Sequence, residues 1–301
     1  MKSNRILYIQ LNLICNSQCI FCYSDILFKD NFISKEIEYN LLLKEIKKFN
    51  LGKNDYVLID GGEPTLYEHL PQLLNYLNKK NAYVKLFTNG RLFKKEKYAE
   101  ILLKNISEII IPIYGHTARI HDTITRSVGS FNETLSGINN ICKLKRRKIS
   151  KLKIVMNLVF SKIGLMENLK ILSIFSKKFP QIDSFALNTL ILSKTAIFNK
   201  NTIVPTQSEL KKAIYAFLNF AYQKKLISYI TNISVPYCII PSKYIKYFTS
   251  LSNFKNVYYY TIDPIFPFFR EQEKCNTKND ICTNCNYRNI CGFDIKSYLE
   301  L

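Results

Sequence analysis

Ile6-Leu7-Tyr8-Ile9-Gln10-Leu11 leads into Cys15-Asn16-Ser17-Gln18-Cys19-Ile20-Phe21-Cys22, and this stretch decides how the chain is read. The first six residues read as a short apolar strand. The spacing that follows, C-x3-C-x2-C, puts three thiols on one short loop. Thiolates hold iron–sulfur clusters, usually four to a cluster. Three protein ligands leave one iron open to another molecule, which suits catalysis; a closed cluster suits storage or electron transfer. The alternative is a zinc knot. Zinc prefers C-x2-C pairs and four ligands, and no fourth Cys or His lies near this loop. The spacing favours iron and sulfide.

Working outward, strand and helix patterns alternate. Strands are expected at 6–11, 56–59, 83–87, 108–113, 153–160 and 184–191. Helices are expected at 34–49, 67–79, 94–103, 131–148, 165–179 and 208–225. Ser34 suits the first N-cap, and Ile37, Leu41, Leu42, Ile46 and Phe49 form that helix's apolar face. Six strands alternating with helices predict a parallel sheet with right-handed crossovers. Six units fall short of an eightfold barrel, so the expected fold class is α/β, a partial (βα)6 barrel. Ligands in such folds sit at the carboxyl ends of the strands, and the alternation is expected to stop near residue 225.

The second strand ends in Gly61-Gly62-Glu63-Pro64. Alone this is a turn that contains an acid. Together with C-x3-C-x2-C after the first strand, and an aromatic residue just before the third cysteine, it resembles the radical S-adenosylmethionine superfamily. The resemblance implies a catalytic four-iron four-sulfur cluster on Cys15, Cys19 and Cys22. It implies that Phe21 lies against the adenine of S-adenosylmethionine, and that Gly61, Gly62, Glu63 and Pro64 shape the pocket for its methionine part. Paired glycines allow close backbone approach, and carbonyls and a carboxylate accept bonds from an ammonium.

Further segments resemble the same family. Thr88-Asn89-Gly90 matches a segment near the cofactor, although Asn-Gly is also a common turn pair. Ile111-Pro112-Ile113-Tyr114-Gly115-His116, then His121-Asp122 and Gly129-Ser130-Phe131, resemble the fourth strand and its following loop. Many members have glycine where Arg126 stands, and others have a carboxylate-binding Arg where Thr125 stands; this chain departs from both patterns, which leaves open whether Arg126 clamps the cofactor's carboxylate. Asn157 occupies a fifth-strand position that offers the ribose a polar contact; a buried Asn satisfied by backbone is the alternative.

The chain has nine cysteines. With no secretory signal they argue for metal and not for disulfides. Cys282, Cys285 and Cys291 follow C-x2-C-x5-C and precede Gly292. This resembles the auxiliary-cluster region of the twitch and SPASM subfamilies, which implies a second iron–sulfur cluster with Cys238 as the upstream ligand and Cys275 as its rival. Structural zinc is the alternative. The expected domains are 1–225, the partial barrel, and 226–301, the Cys-rich auxiliary region. Cys142 falls in a helical pattern and reads as an ordinary buried thiol.

The net charge is +20 over 301 residues, with no Trp and few Gly. Scattered lysines point to compositional bias more than to a nucleic-acid face; the dense run Lys143, Lys145, Arg146, Arg147 and Lys148 falls at a helix end, where cations suit the dipole. No apolar run is long enough to span a bilayer, and the chain reads as cytoplasmic with no membrane partner. The family resemblance implies reductive cleavage of S-adenosylmethionine to a 5′-deoxyadenosyl radical that abstracts hydrogen, with a reductant such as flavodoxin or ferredoxin. A peptide or protein is the expected substrate, as in maturation of ribosomally made peptides. A nucleotide or sugar intermediate is the alternative, and a zinc-binding nucleic-acid protein is the rival of another class. No separate peptide-recognition domain is expected before the first strand.

Overall fold

A computed structural model of the chain describes residues 5–24, 35–52, 55–232 and 234–248, together with the backbone of 256–260 and 270–271. Seven parallel strands form the body of one sheet: β1 (Arg5–Gln10), β2 (Tyr56–Asp60), β3 (Tyr83–Phe87), β4 (Glu108–Pro112), β5 (Lys153–Phe160), β6 (Ser184–Thr189) and β7 (Ile230–Asn232). They stand in chain order, and β8 (Asn256–Tyr260) and β9 (Arg270–Glu271) extend the β1 edge. β8 pairs parallel with β1, and β9 pairs antiparallel with β8. The expected α/β fold with a parallel sheet is therefore present. The alternation does not stop at residue 225, however. A helix over Gln207–Gln223 is a further crossover, delivering β7 beside β6. Three residues are too few to show a period in sequence.

Side chains alternate across the sheet with the two-residue period of a strand. Leu7, Ile9, Val57, Ile59, Val84, Leu86, Ile109, Ile111, Ile154, Met156, Phe185 and Leu187 enter the large core beneath the helices. That layer includes α1 (Tyr39–Phe49), α2 (Leu70–Lys79), α3 (Glu96–Leu103), α5 (Ser130–Arg147) and α6 (Glu167–Lys178). Residues of the opposite parity face inward. Ile110, Val155 and Ala186 pack with Phe87 as a floor. Tyr8, Asp60, Pro112, Asn157 and Asn188, nearer the carboxyl ends, line a cavity above it.

The first helix differs from expectation. It begins at Tyr39 with Glu38 as its N-cap, whose carboxylate accepts from the backbone N–H groups of Asn40 (2.8 Å) and Leu41 (2.6 Å). Ser34 lies outside the described residues. Ile37 is instead drawn to the end of β1, its N–H donating to the Leu11 carbonyl at 3.0 Å. α4 (Ala118–Thr125) was not expected; it fills the connection between β4 and α5. Among the described residues no helix is long and apolar enough to cross a membrane.

Candidate functional site

The cysteine loop is built as part of the sheet's upper rim. Past β1, Leu11 N–H donates to the Asp60 carbonyl at 2.9 Å. The β2 turn then returns the pairing: Gly62 N–H donates to the Asn12 carbonyl (2.8 Å) and Glu63 N–H to the Ile14 carbonyl (2.7 Å). Asn12 is fully buried, and its amide donates to the Glu63 carbonyl at 3.1 Å. The paired glycines therefore have a packing role beside any ligand. A Cβ on Gly62 would lie 2.2 Å from the Ile14 carbonyl oxygen, and one on Gly61, whose φ is +144°, 2.5 Å from that of Asn12.

Glu63 is buried and ties this turn to the next one. Its carboxylate accepts from Thr65 N–H (3.1 Å), Thr65 Oγ1 (2.5 Å), Thr88 Oγ1 (2.6 Å) and Asn89 N–H (2.7 Å). Burial raises its pKa against the lowering effect of these bonds. Four donors use most of what a carboxylate can accept, so its chief work in the fold is to join Gly61–Thr65 to Thr88–Asn89. Asn89 then bonds Asn16 of the cysteine loop, Nδ2 to Oδ1 at 2.6 Å. The turn also presses on α5: a Cβ on Gly137 would lie 2.1 Å from the Gly90 carbonyl oxygen.

Arg91, next in sequence, holds the same loop. Its guanidinium donates to the Asn16 carbonyl, to Ser17 Oγ (3.1 Å) and to Ser127 Oγ (3.0 Å), and pairs with Glu133 through Nε (2.6 Å). On the other side, Gln18 and Ile20 N–H groups donate to the carbonyls of Thr125 (2.9 Å) and Ile124 (3.0 Å) at the end of α4. Ser193 and Asn199, after β6, donate to the carbonyls of Cys22 and Ile20, both at 2.9 Å. Phe21 is buried with Ile20, Ile124, Leu190, Ala196 and Ile203. Its ring meets Tyr114 edge-on, with centroids 5.1 Å apart.

Cys15, Cys19 and Cys22 all line one cavity of about 340 Å³, shared with Phe21, Gly61, Gly62, Glu63, Pro64, Asn89 and Asn157. Burial, then Glu63, pushes the Cys15 thiol up to about 12. Burial, then Cys22 and Cys15, pushes Cys19 up further, although Tyr114 hydrogen-bonds it. Thiolates here would be costly without a neighbouring cation, and a metal centre supplies one. Among the described residues no three His, Cys, Asp or Glu side chains converge tightly enough to hold a single metal ion. A cluster asks for a wider ring, because its thiolates meet different irons. Three thiols lining one cavity are a donor set that fits an iron–sulfur cluster with one corner open.

Arg126 does not face the cavity. It sits in the left-handed region (φ 49°) as the C-cap of α4, and its guanidinium donates to Asn199 Oδ1 at 3.0 Å. A clamp on the cofactor's carboxylate is thus not placed there; Arg91 and Thr125 line the cavity instead. Asp122 is an N-terminal cap for α5, accepting from the N–H groups of Gly129 (2.7 Å) and Phe131 (2.8 Å) and from Ser130 Oγ (2.7 Å). His116 pairs with Glu167. His121 is buried beside Tyr114 and its pKa falls to about 4 through burial. Lys143, Lys145 and Lys148 pair with Glu96, Asp183 and Glu100, so much of the basic run is neutralised within the fold. Cys142 is buried in the core. Cys238 is exposed in the turn after β7, while Cys275, Cys282, Cys285 and Cys291 lie outside the described residues.

The chain is similar to known proteins in sequence and in fold. The chain is 30% identical over 129 residues to the Fe-coproporphyrin III synthase of Methanosarcina barkeri, covering 42% of this chain and 31% of that one. It is 30% identical over 170 residues to a probable GTP 3′,8-cyclase of Saccharolobus islandicus, covering 54% and 53%. It is 26% identical over 132 residues to the mycofactocin maturase MftC of Mycobacterium ulcerans, covering 44% and 35%. The chain thus spans about a third to a half of the length of these relatives. Among solved structures, anSMEcpe with bound AdoMet superimposes with a TM-score of 0.59 at 18% identity, covering 74% of this chain and 61% of that one. SuiB of Streptococcus suis, bound to its precursor peptide SuiA, gives 0.57 at 16%, covering 78% and 50%. These two likenesses establish the fold. The family model of the radical SAM superfamily matches residues 9–161, just over half of the chain and the segment that carries both the cysteine loop and Gly61–Pro64. The chain belongs to the radical SAM superfamily.

Proposed function

We propose that Cys15, Cys19 and Cys22 hold the four-iron four-sulfur cluster that this family implies, and that S-adenosylmethionine occupies the cavity between that loop and Gly61–Pro64. When bound, the pair supplies one-electron cleavage of the sulfonium and abstraction of a hydrogen atom from substrate. The chain's own residues position and shield. Gly61 and Gly62 bring the β2 turn against the cysteine loop. Glu63 and Arg91 lock both to the β3 turn. Phe21 and Tyr114 close the apolar side and exclude water. The observation that carries this reading is the convergence of three thiols and the Gly61–Pro64 turn on one cavity.

The substrate we favour is a peptide or protein, with a second cluster on Cys238, Cys282, Cys285 and Cys291, Cys275 being the rival ligand. Support comes from the C-terminal cysteine spacing, from a net charge of +20 that suits an acidic peptide, and from the likeness in sequence to a maturase. The similarity to probable GTP 3′,8-cyclases favours a second reading, a nucleotide substrate. Anaerobic reconstitution followed by reduction tests the core proposal: Cys19→Ala should abolish 5′-deoxyadenosine production, and unchanged turnover in that variant refutes it. Cys285→Ala should lower iron by about one cluster while the first remains; unchanged iron refutes the second site. Faster 5′-deoxyadenosine formation with GTP than with an acidic peptide would favour the second reading.

A further inference from the structure

Asn157 on β5 and Asn188 on β6 both face the cavity, and their amides bond each other. Which end of each amide faces which way is decided by backbone groups whose roles are fixed. Thr189 N–H, which can only donate, meets Ser234 Oγ at 3.0 Å. The Ser234 carbonyl, which can only accept, takes the Thr189 hydroxyl proton at 3.0 Å. Ser234 therefore still has its own proton to give, and Asn188 Oδ1 lies 3.0 Å away, nearer than Thr189 Oγ1 at 3.4 Å. With its oxygen turned to Ser234, Asn188 turns its NH2 group to Asn157. Asn157 must then accept through Oδ1, and its own NH2 group is what remains for the cavity.

We propose that Ser234 and Asn188 are positioning residues that fix the polarity of Asn157, so that β5 turns the NH2 group of Asn157, a hydrogen-bond donor, to the adenosyl group of S-adenosylmethionine. This rests on the assignment of the cavity to S-adenosylmethionine. It also gives the residues beyond β7 a part in the cavity, since Ser234 is not itself among the lining residues.

The test measures equilibrium binding of S-adenosylmethionine, by anaerobic calorimetry, to cluster-loaded protein with no reductant present, so that no turnover intervenes. Asn157→Ala should weaken binding about tenfold, the effect of one net hydrogen bond. Asn188→Asp should weaken it at least as much, because a carboxylate only accepts and forces Asn157 to turn its oxygen into the cavity. Asn188→Leu, which merely frees the amide, should cost less. A purely structural role gives the opposite order, since Asp is the closer isostere, and the added negative charge would favour a sulfonium cation. In the Asn157→Ala background, Asn188→Asp should bring no further loss of affinity, as expected of residues that act as one unit. Ser234→Ala should weaken binding about threefold with iron content unchanged, which keeps the proposal testable if the Asn188 variants fail to fold. Wild-type affinity in Asn188→Asp and Ser234→Ala, or additive losses in the double variant, would overturn this inference alone. Failure of the wild-type protein to bind S-adenosylmethionine overturns the functional proposal and this one with it.

Discussion

Replacing Gly62 by Ala probes the join between the two loops that form the cavity. The new Cβ would stand 2.2 Å from the Ile14 carbonyl oxygen, 2.6 Å from its carbon and 2.9 Å from Ile14 N, all backbone atoms. Ordinary contact begins at 3.4 Å, so the two segments must part by about 1.2 Å, the difference between 3.4 and 2.2. That displacement breaks or stretches the bonds Gly62 N–H to Asn12 and Glu63 N–H to Ile14. Each buried backbone bond lost costs about 1–3 kcal/mol, so a destabilisation of about 2–6 kcal/mol is expected. A shift of about an ångström in a positioned group can also cost about a hundredfold in rate. Denaturant midpoints, iron content after reconstitution and 5′-deoxyadenosine yield should all fall. Gly52→Ala is the control, because its nearest neighbour, Asp55 Oδ2, is 3.6 Å away. If Gly62→Ala matches wild type in stability and turnover, the claim that these glycines serve the loop-to-loop contact is wrong.

Arg91→Lys should lower iron incorporation and stability by about 1–3 kcal/mol, since an ammonium cannot serve Asn16, Ser17, Ser127 and Glu133 together; normal iron loading would count against its role. Arg126→Ala should leave affinity for S-adenosylmethionine within about twofold, because the side chain faces Asn199; a tenfold loss would restore it as a clamp. His121 has its folded pKa lowered from 6.5 to about 4 by burial. The unfolded chain then binds the extra proton between these values, so stability is full above about pH 6.5 and falls towards pH 4. The loss approaches about 3 kcal/mol. Denaturant titrations at pH 7 and pH 5 should show this slope in wild type and a shallower one in His121→Gln; equal slopes would refute the assignment.

The first six strands were legible because each is an apolar run ending in turn residues: 83–87 and 153–160 are found at the expected bounds. The three cysteines and Gly61–Pro64 were legible as motifs with tight spacing. What escaped notice depends on contacts across the sheet. Arg91 looks like any basic residue after a turn until Asn16, Ser17 and Glu133 gather round it. Asn12 shows no pattern, yet it brackets the β2 turn. Asn188 and Ser234 act only because β6 and the segment after β7 lie side by side. Arg126 was misleading for the converse reason: its place near a motif said nothing about which way a C-cap residue points.

Gly137 carries a consequence away from the chemistry. It lies on the face of α5 that touches the carbonyl of Gly90, far along the chain from Cys15, Cys19 and Cys22. A methyl there would have to displace the β3 turn, and with it the amide of Asn89 that Glu63 grips. A saturation library scored for cofactor capture should therefore show a dead spot in mid-helix, on a residue that no ligand ever meets.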